Sequence, residues 1–272
     1  MQYQEVDPPE ALRDAIQKFW YVSRDADAGH ARFEVVPDSY VELIFYVGGP
    51  CCRATPAGWQ PLRSPFLVGL LPQPALFQAS SRLEIIGVKC FPWAVAELLG
   101  GRPGPAGTHW LAHPIAQLQA PLTQWLRAGN VAAAWAQVSQ YFEQARPRRP
   151  ADRTLDQAGR ALYAAAGRLP ISQVAAATCT TVRTLERKFK HAAGQPLKDV
   201  AGLLRFEQVR RHLWQQPTTS LAGLAQELGY ADQSHLGRDF KRYGGTTPAA
   251  FARQARHWQQ TVSTDFVAFI LA

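Results

Sequence analysis

Apolar residues follow two rhythms along the chain. As far as Gly100 they come in short runs, Phe33–Val36, Val41–Val47, Phe66–Leu71 and Leu83–Phe91, with Gly, Pro and Ser clusters between them. Runs of strand length bounded by turn formers predict a β-rich sandwich or barrel, with one short helix at Trp93–Leu99. Between His113 and Ala145 the spacing changes to three and four: Leu118, Leu122, Trp125 and Leu126, then Val131, Trp135, Val138 and Phe142, broken at Gly129-Asn130. That spacing predicts a helical hairpin, which either covers the sheet or presents a dimer face.

At Arg146–Asp152, RPRRPAD, two prolines and three arginines interrupt the patterning and predict a linker. Beyond it every apolar stripe is helical, over 153–166, 171–177, 181–191, 197–215, 220–228, 232–243 and 248–256. Gly167, Gly194, Gly229 and Gly244 stand at the expected helix ends, and Thr181 and Asp232 at expected N-caps. The expected fold is multidomain: a β-rich (α+β) N-terminal domain over 1–145, the linker 146–152, an all-α domain over 153–256 and a tail, 257–272, whose apolar end packs on the protein.

Charge sharpens this division. The formal net charge is +8, but residues 1–150 hold 13 Lys and Arg against 12 Asp and Glu, whereas residues 151–272 hold 16 against 9. Almost all the basic excess lies in the helical half, as expected of a polyanion-binding domain joined to a near-neutral one. The sequence has no run of ~18 uncharged apolar residues, and its start, MQYQEVDPPE, lacks a basic-then-apolar signal order, so a cytoplasmic protein with no membrane partner is expected. Cys51, Cys52, Cys90 and Cys179 show no CxxC spacing and suit reduced thiols. No metal or cofactor is expected; His109 and His113 are i,i+4, but Gly107 and Pro114 argue against one helix presenting both.

The helical half contains a repeat. Leu185-x-Arg187-x-Phe189-Lys190 recurs 51 residues later as Leu236-x-Arg238-x-Phe240-Lys241, and each copy follows an apolar helical turn, Ile171/Val174/Ala175 or Leu221/Leu224/Ala225, then a short turn and a polar cap. The order is helix, tight turn, second helix. On the second helix of the first copy Val182, Leu185 and Phe189 share one face, while Arg183, Glu186, Arg187 and Lys190 share the other. Forked guanidinium groups facing outward are what reading base edges in a major groove requires. A single such helix is usually just a solvated one; duplication inside a basic domain favours two recognition helices in successive groove segments, ~34 Å apart.

The stretch Tyr230–Arg242, YADQSHLGRDFKR, with Gly245-Thr246-Thr247-Pro248 and Phe251, resembles the signature of the AraC/XylS family of transcriptional regulators. The likeness covers about residues 153–256 and takes in Arg183-x-Leu185-x-Arg187-x-Phe189 and Gly194-Gln195-Pro196. It implies sequence-specific binding of double-stranded DNA, with Arg183, Glu186, Arg187, Gln233, Ser234 and Arg238 at base-reading positions. Thr181, Lys190, Asp232, Lys241 and Arg242 would contact phosphate, and Glu186 would either accept from a cytosine amino group or pair with Lys190. Two residues depart from the pattern: Cys179 stands at a turn position where glycine is common, and Gly237 lies inside the second recognition helix.

Segments around Phe19-Trp20, Val36–Phe45 and Ile86–Pro92 look like a β-rich domain often joined to such modules, which implies a small-molecule sensor or a dimerisation unit. Trp20, Tyr40, Phe45 and Trp93 are the candidates for lining a pocket, or are simply core residues. Cys51 and Cys52 beside Arg53, with Cys90, are either a thiol sensor or ordinary thiols. The expected partners are DNA, the transcription machinery, a small-molecule effector and a second copy of the chain. Competing readings are an enzyme tethered to nucleic acid, for which no catalytic constellation is found, and a ligand-independent regulator. Asp38, Glu42 and Glu84 are expected to neutralise nearby arginines rather than to catalyse.

Overall fold

The computed structural model describes residues 2–24, 31–79, 82–100, 107–145, 152–261 and 269–270. Most of the expected linker, 146–151, and much of the tail, 262–268 and 271–272, therefore fall outside the described residues.

Two antiparallel sheets form the first half. The larger has the order β1 (Gln2–Val6), β2 (Ile16–Arg24), β9 (Leu83–Cys90), β4 (Val41–Gly48), β7 (Phe66–Val68) and β10 (Thr108–Trp110). The smaller runs β11 (Phe269–Ile270), β3 (Ala31–Val35), β8 (Ala75–Ala79), β5 (Cys51–Thr55) and β6 (Gly58–Pro61). Part of the tail thus pairs with the first domain, Phe269 opposite Val35.

Strand side chains alternate between faces, and here both faces of the central strands are covered. Trp20, Val22, Ile44 and Ile85 point towards Phe33, Phe77 and Ala79 of the smaller sheet. Phe19, Tyr21, Leu43, Phe45, Ile86 and Val88 point the other way, into a core shared with helices. Burial on both sides explains the near-continuous apolar runs of β4 and β9, which alternation alone would not give. The helices on the outer face are α1 (Val95–Leu98), α2 (Gln119–Arg127) and α3 (Val131–Ala145). Leu122, Leu126, Ala134, Val138 and Phe142 are buried in that core, so the hairpin covers the sheet. Gln119 pins it, its Nε2 donating to the Tyr46 carbonyl at 2.8 Å and its Oε1 accepting from Ser64 Oγ at 2.6 Å.

The second half is all-α: α4 (Arg153–Ala164), α5 (Ile171–Ala177), α6 (Val182–Ala193), α7 (Leu197–Gln215), α8 (Leu221–Glu227), α9 (Gln233–Gly244) and α10 (Pro248–Thr261). Helix α7 is buried around most of its circumference, at Leu197, Val200, Leu203, Leu204, Phe206, Val209 and Leu213, because it is the axis on which both helix-turn-helix units pack. Phe206 meets Phe240 and Tyr243 of α9, and Arg205 donates to the Gly167 carbonyl beyond α4 at 2.9 Å while lying 3.8 Å from Asp239 of α9.

One expected helix end is corrected. The left-handed residue after α9 is Gly245, at φ 67°, not Gly244, which remains helical and packs against Phe206.

Candidate nucleic-acid interface

Each unit begins with a short helix, α5 or α8, whose buried Val174 and Ala175, or Leu224 and Ala225, fix it to the core. The following turn needs a left-handed residue. In the second unit Gly229 supplies it at φ 75°; in the first Cys179 adopts φ 50°, where a side chain costs ~1–2 kcal/mol. The Thr181 hydroxyl then accepts from the Thr184 amide at 3.2 Å, and Asp232 Oδ1 from the His235 amide at 2.7 Å, so both caps form as expected. Both oxygens are engaged at the helix ends.

Leu185 and Phe189 bury α6, as Leu236 and Phe240 bury α9. Val182, expected on the same apolar face, is instead 41% exposed, because it is the first residue of α6, beside the cap. Arg183, Arg187 and Lys190 are exposed on one recognition helix, and Gln233, Ser234, Arg238, Lys241 and Arg242 on the other. Lys190 and Lys241 have no ion pair among the described residues, whereas Arg242 lies 3.6 Å from Asp199.

Glu186 has a different occupation from either sequence reading. Its Oε2 accepts the Leu197 amide at 2.8 Å. Leu197 opens α7 after Pro196, which has no capping side chain, so Glu186 caps α7 from the neighbouring helix. Sequence spacing misses this contact because the partner is a backbone group 11 residues away. Gly237 has nothing within 4 Å of where a Cβ would stand, so its bareness serves no internal packing.

The first unit also touches the β-rich domain. Trp93 lies against Gly159 of α4 so closely that a Cβ there would fall 2.5 Å from its ring. Its ring centroid is 4.9 Å from Phe91, 5.2 Å from Tyr163 and 6.0 Å from Phe189, and Tyr40 stands 5.4 Å from Tyr163. The Tyr163 hydroxyl donates to the Ser39 carbonyl, and the Ser39 amide donates to Glu207 of α7.

Beside this junction a cavity of about 230 Å³ opens between the sheets. Of the four candidate pocket residues it is lined by Trp20 and Tyr40 only. Phe45 is buried on the opposite face of β4, and Trp93 belongs to the aromatic junction, so these two are corrected to packing residues. Lys89 and Arg210, which sequence reasoning missed, also line the cavity. Lys89 Nζ lies 3.0 Å from Asp38 and 3.5 Å from Glu42, so a lysine rather than an arginine neutralises both acids; Glu84 lies 3.5 Å from Arg82, as expected. Burial pushes the carboxyls of Glu42 and Glu207 up to about 7. Burial likewise pushes the Cys51 thiol up to about 12 and raises Cys90, the reverse of what a reactive thiolate needs.

Two capped helix-turn-helix units on one rigid helix, with guanidinium groups outward, define a two-domain DNA-binding protein. Residues 152–254 match the "Helix-turn-helix domain" family model, and residues 4–105 match "Domain of unknown function (DUF6597)". The helical half is thus similar to a helix-turn-helix domain over residues 152–254. No curated protein sequence matches the chain. Among solved structures it is similar to ToxT from Vibrio cholerae O395, at 9% identity over 87% of this chain and 98% of that one, with TM-score 0.46. It is also similar to an AraC-type regulator from Chromobacterium violaceum, at 22% identity over 40% of this chain and 95% of that one, TM-score 0.34. A third likeness is to the C-terminal domain of AraT from Geobacillus stearothermophilus, at 19% identity, 38% and 86% coverage and TM-score 0.35.

Proposed function

We propose that α6 and α9 read two successive major-groove segments of one DNA duplex, with Arg183, Arg187, Gln233, Ser234 and Arg238 at base edges. Lys190, Lys241 and Arg242 hold phosphates, and Thr181 and Asp232 orient the helix ends that approach the backbone. Glu186 braces α6 against α7. The observation that carries this reading is the repetition of one buried pair, Leu185/Phe189 and Leu236/Phe240, beneath exposed arginines on two capped helices. The first domain, 1–145, binds a small molecule that changes DNA affinity, and copies of the chain pair on DNA and meet the transcription machinery, in the cytoplasm at the nucleoid. No step of catalysis belongs to this function.

The test is selection of preferred duplexes from a random pool by the full chain, followed by salt titration. Arg187→Ala should relax preference at one base position, whereas Lys190→Ala should weaken all duplexes alike and reduce the salt slope by about one. Identical preference profiles for the two variants, or no duplex preferred over scrambled sequence, would overturn the assignment.

A further inference from the structure

A rigid helix fixes how far apart two attached units sit, but not how each is turned about it. Helix α7 supplies the length: the first unit joins its start through Gly194-Gln195-Pro196, and the second joins its end through residues 216–219. Both joints are short non-helical turns, so the angle between the units is set by contacts along the side of α7. Arg205, near the middle of α7, lies where the two units meet. Its Nη1 donates to the carbonyl of Gly167, at the entry to α5, at 2.9 Å. Its Nη2 lies 3.8 Å from Asp239 Oδ2 on α9, and its guanidinium carbon stands 5.1 Å from the centre of the Tyr230 ring, in the turn before α9.

The backbone around Arg205 is packed as closely. Gly167, at φ 74°, sits so tightly on α7 that a Cβ there would fall 2.4 Å from the Ala201 carbonyl oxygen, and a Cβ at Gly229 would stand 3.8 Å from Arg168. The segment before α5 and the turn before α9 therefore abut, with Arg205 beside both. Asp239 also lies 3.8 Å from His235 Nε2, and the His235 ring meets Tyr230 edge-on at 5.2 Å, which carries the cluster into the first turn of the second recognition helix. The arrangement needs the shape of an arginine. A planar fork donates in two directions while its face lies on a ring, whereas an ammonium is a point charge on a flexible stem. The side chains of Arg205 and Asp239 are 18% and 19% exposed, so solvent screens their contact far less than it screens a surface pair.

We propose that Arg205 is a positioning residue that sets the angle between α6 and α9, and thereby the number of base pairs between the two DNA segments the protein reads. This role rests on the two-segment reading above and adds the residue that fixes the spacing. Arg205 acts through the two units it joins, not through contact with a base. Moving one segment by a single base pair shifts it ~3.4 Å along the duplex and turns it roughly 34° around the axis. Units locked at one angle fit one spacing and lose contacts at every other. Units free to turn fit several spacings almost equally.

The experiment starts from duplexes selected by the full chain and changes the spacer between the two preferred segments by one or two base pairs in either direction, with affinity read by titration. The wild-type protein should show a sharp optimum, losing about tenfold or more for a one-base-pair change. Arg205→Met, which keeps an unbranched stem but no donor, should flatten the profile to within about threefold, and Arg205→Lys should not restore it. Asp239→Asn, which leaves Arg205 in place and weakens its hold on α9, should give an intermediate profile. Base preference within each segment should persist in all three variants. Val209→Ala, a truncation at a fully buried position elsewhere on α7, is the control for stability: it should lower the melting temperature and leave the optimum sharp. A sharp optimum in Arg205→Met or, where that variant does not fold, in Asp239→Asn overturns the role of Arg205 and leaves the two-segment reading standing. So does full recovery in Arg205→Lys, or a profile flattened as much by Val209→Ala. A wild-type protein that selects only one segment overturns the two-segment reading itself, and the spacing role with it.

Discussion

The two helix-turn-helix units share a plan but not their neighbours. The first, α5 and α6, is packed against the β-rich domain through Trp93, which touches Gly159, Tyr163 and Phe189. The second, α8 and α9, is held mainly within the helical half, by Phe206, Phe251 and Arg205. The first unit presents Arg183, Arg187 and Lys190 together, whereas the second presents Arg238 beside a glycine. At two positions the second unit has a glycine where the first has a side chain: Gly229 in the turn against Cys179, and Gly237 in the recognition helix against Glu186. The duplicated scaffold thus sits in two settings, one copy packed against the adjoining domain and the other resting mainly on α7.

The largest test of this difference is Gly159→Val. The Cβ would enter the buried Trp93 ring, and overpacking of this kind costs ~1–3 kcal/mol. Denaturant midpoints should fall, and amide-exchange protection should drop in α4 and α6 while persisting in α9. Equal losses in both units would end the distinction. Next, Arg187→Ala and Arg238→Ala should each weaken the preferred duplex by ~1–3 kcal/mol, with Arg187→Ala the more costly. The reverse ranking in binding titrations would make the second unit the principal reader.

Glu186→Ala should destabilise the fold by ~1 kcal/mol, the cost of a lost cap, while leaving base preference unchanged. A shifted preference would return Glu186 to the base-reading set. Gly237→Ala should raise stability by up to ~1 kcal/mol, since the site is open and helical. Smallest is Cys179→Gly: release from a left-handed side chain, partly offset by greater freedom in the unfolded chain, should add about 0.5 kcal/mol by thermal melts.

Local signals made the helical half readable. Thr181 and Asp232 cap the helices they precede, and the expected spans 171–177 and 197–215 are those of α5 and α7. In the β-rich half, β4 and β9 were legible because both faces are apolar, whereas β1 and β6 were not, since they are edge strands with mostly exposed, polar side chains. Of the pocket candidates, Trp20 and Tyr40 reach the cavity, while Phe45 and Trp93 do not. An aromatic residue signals burial but carries no information about which cavity it borders.

Sequence by itself determined that the helical half is a duplicated, basic, capped pair of helix-turn-helix units, because periodicity, capping and charge act within a few residues of each other. Only the tertiary structure decided that Glu186 braces α7, that Trp93 belongs to a domain junction, and that Arg210 and Lys89 meet at one cavity. Those contacts join positions between 11 and 121 residues apart, and such pairings are set by how whole layers pack, which no local pattern encodes.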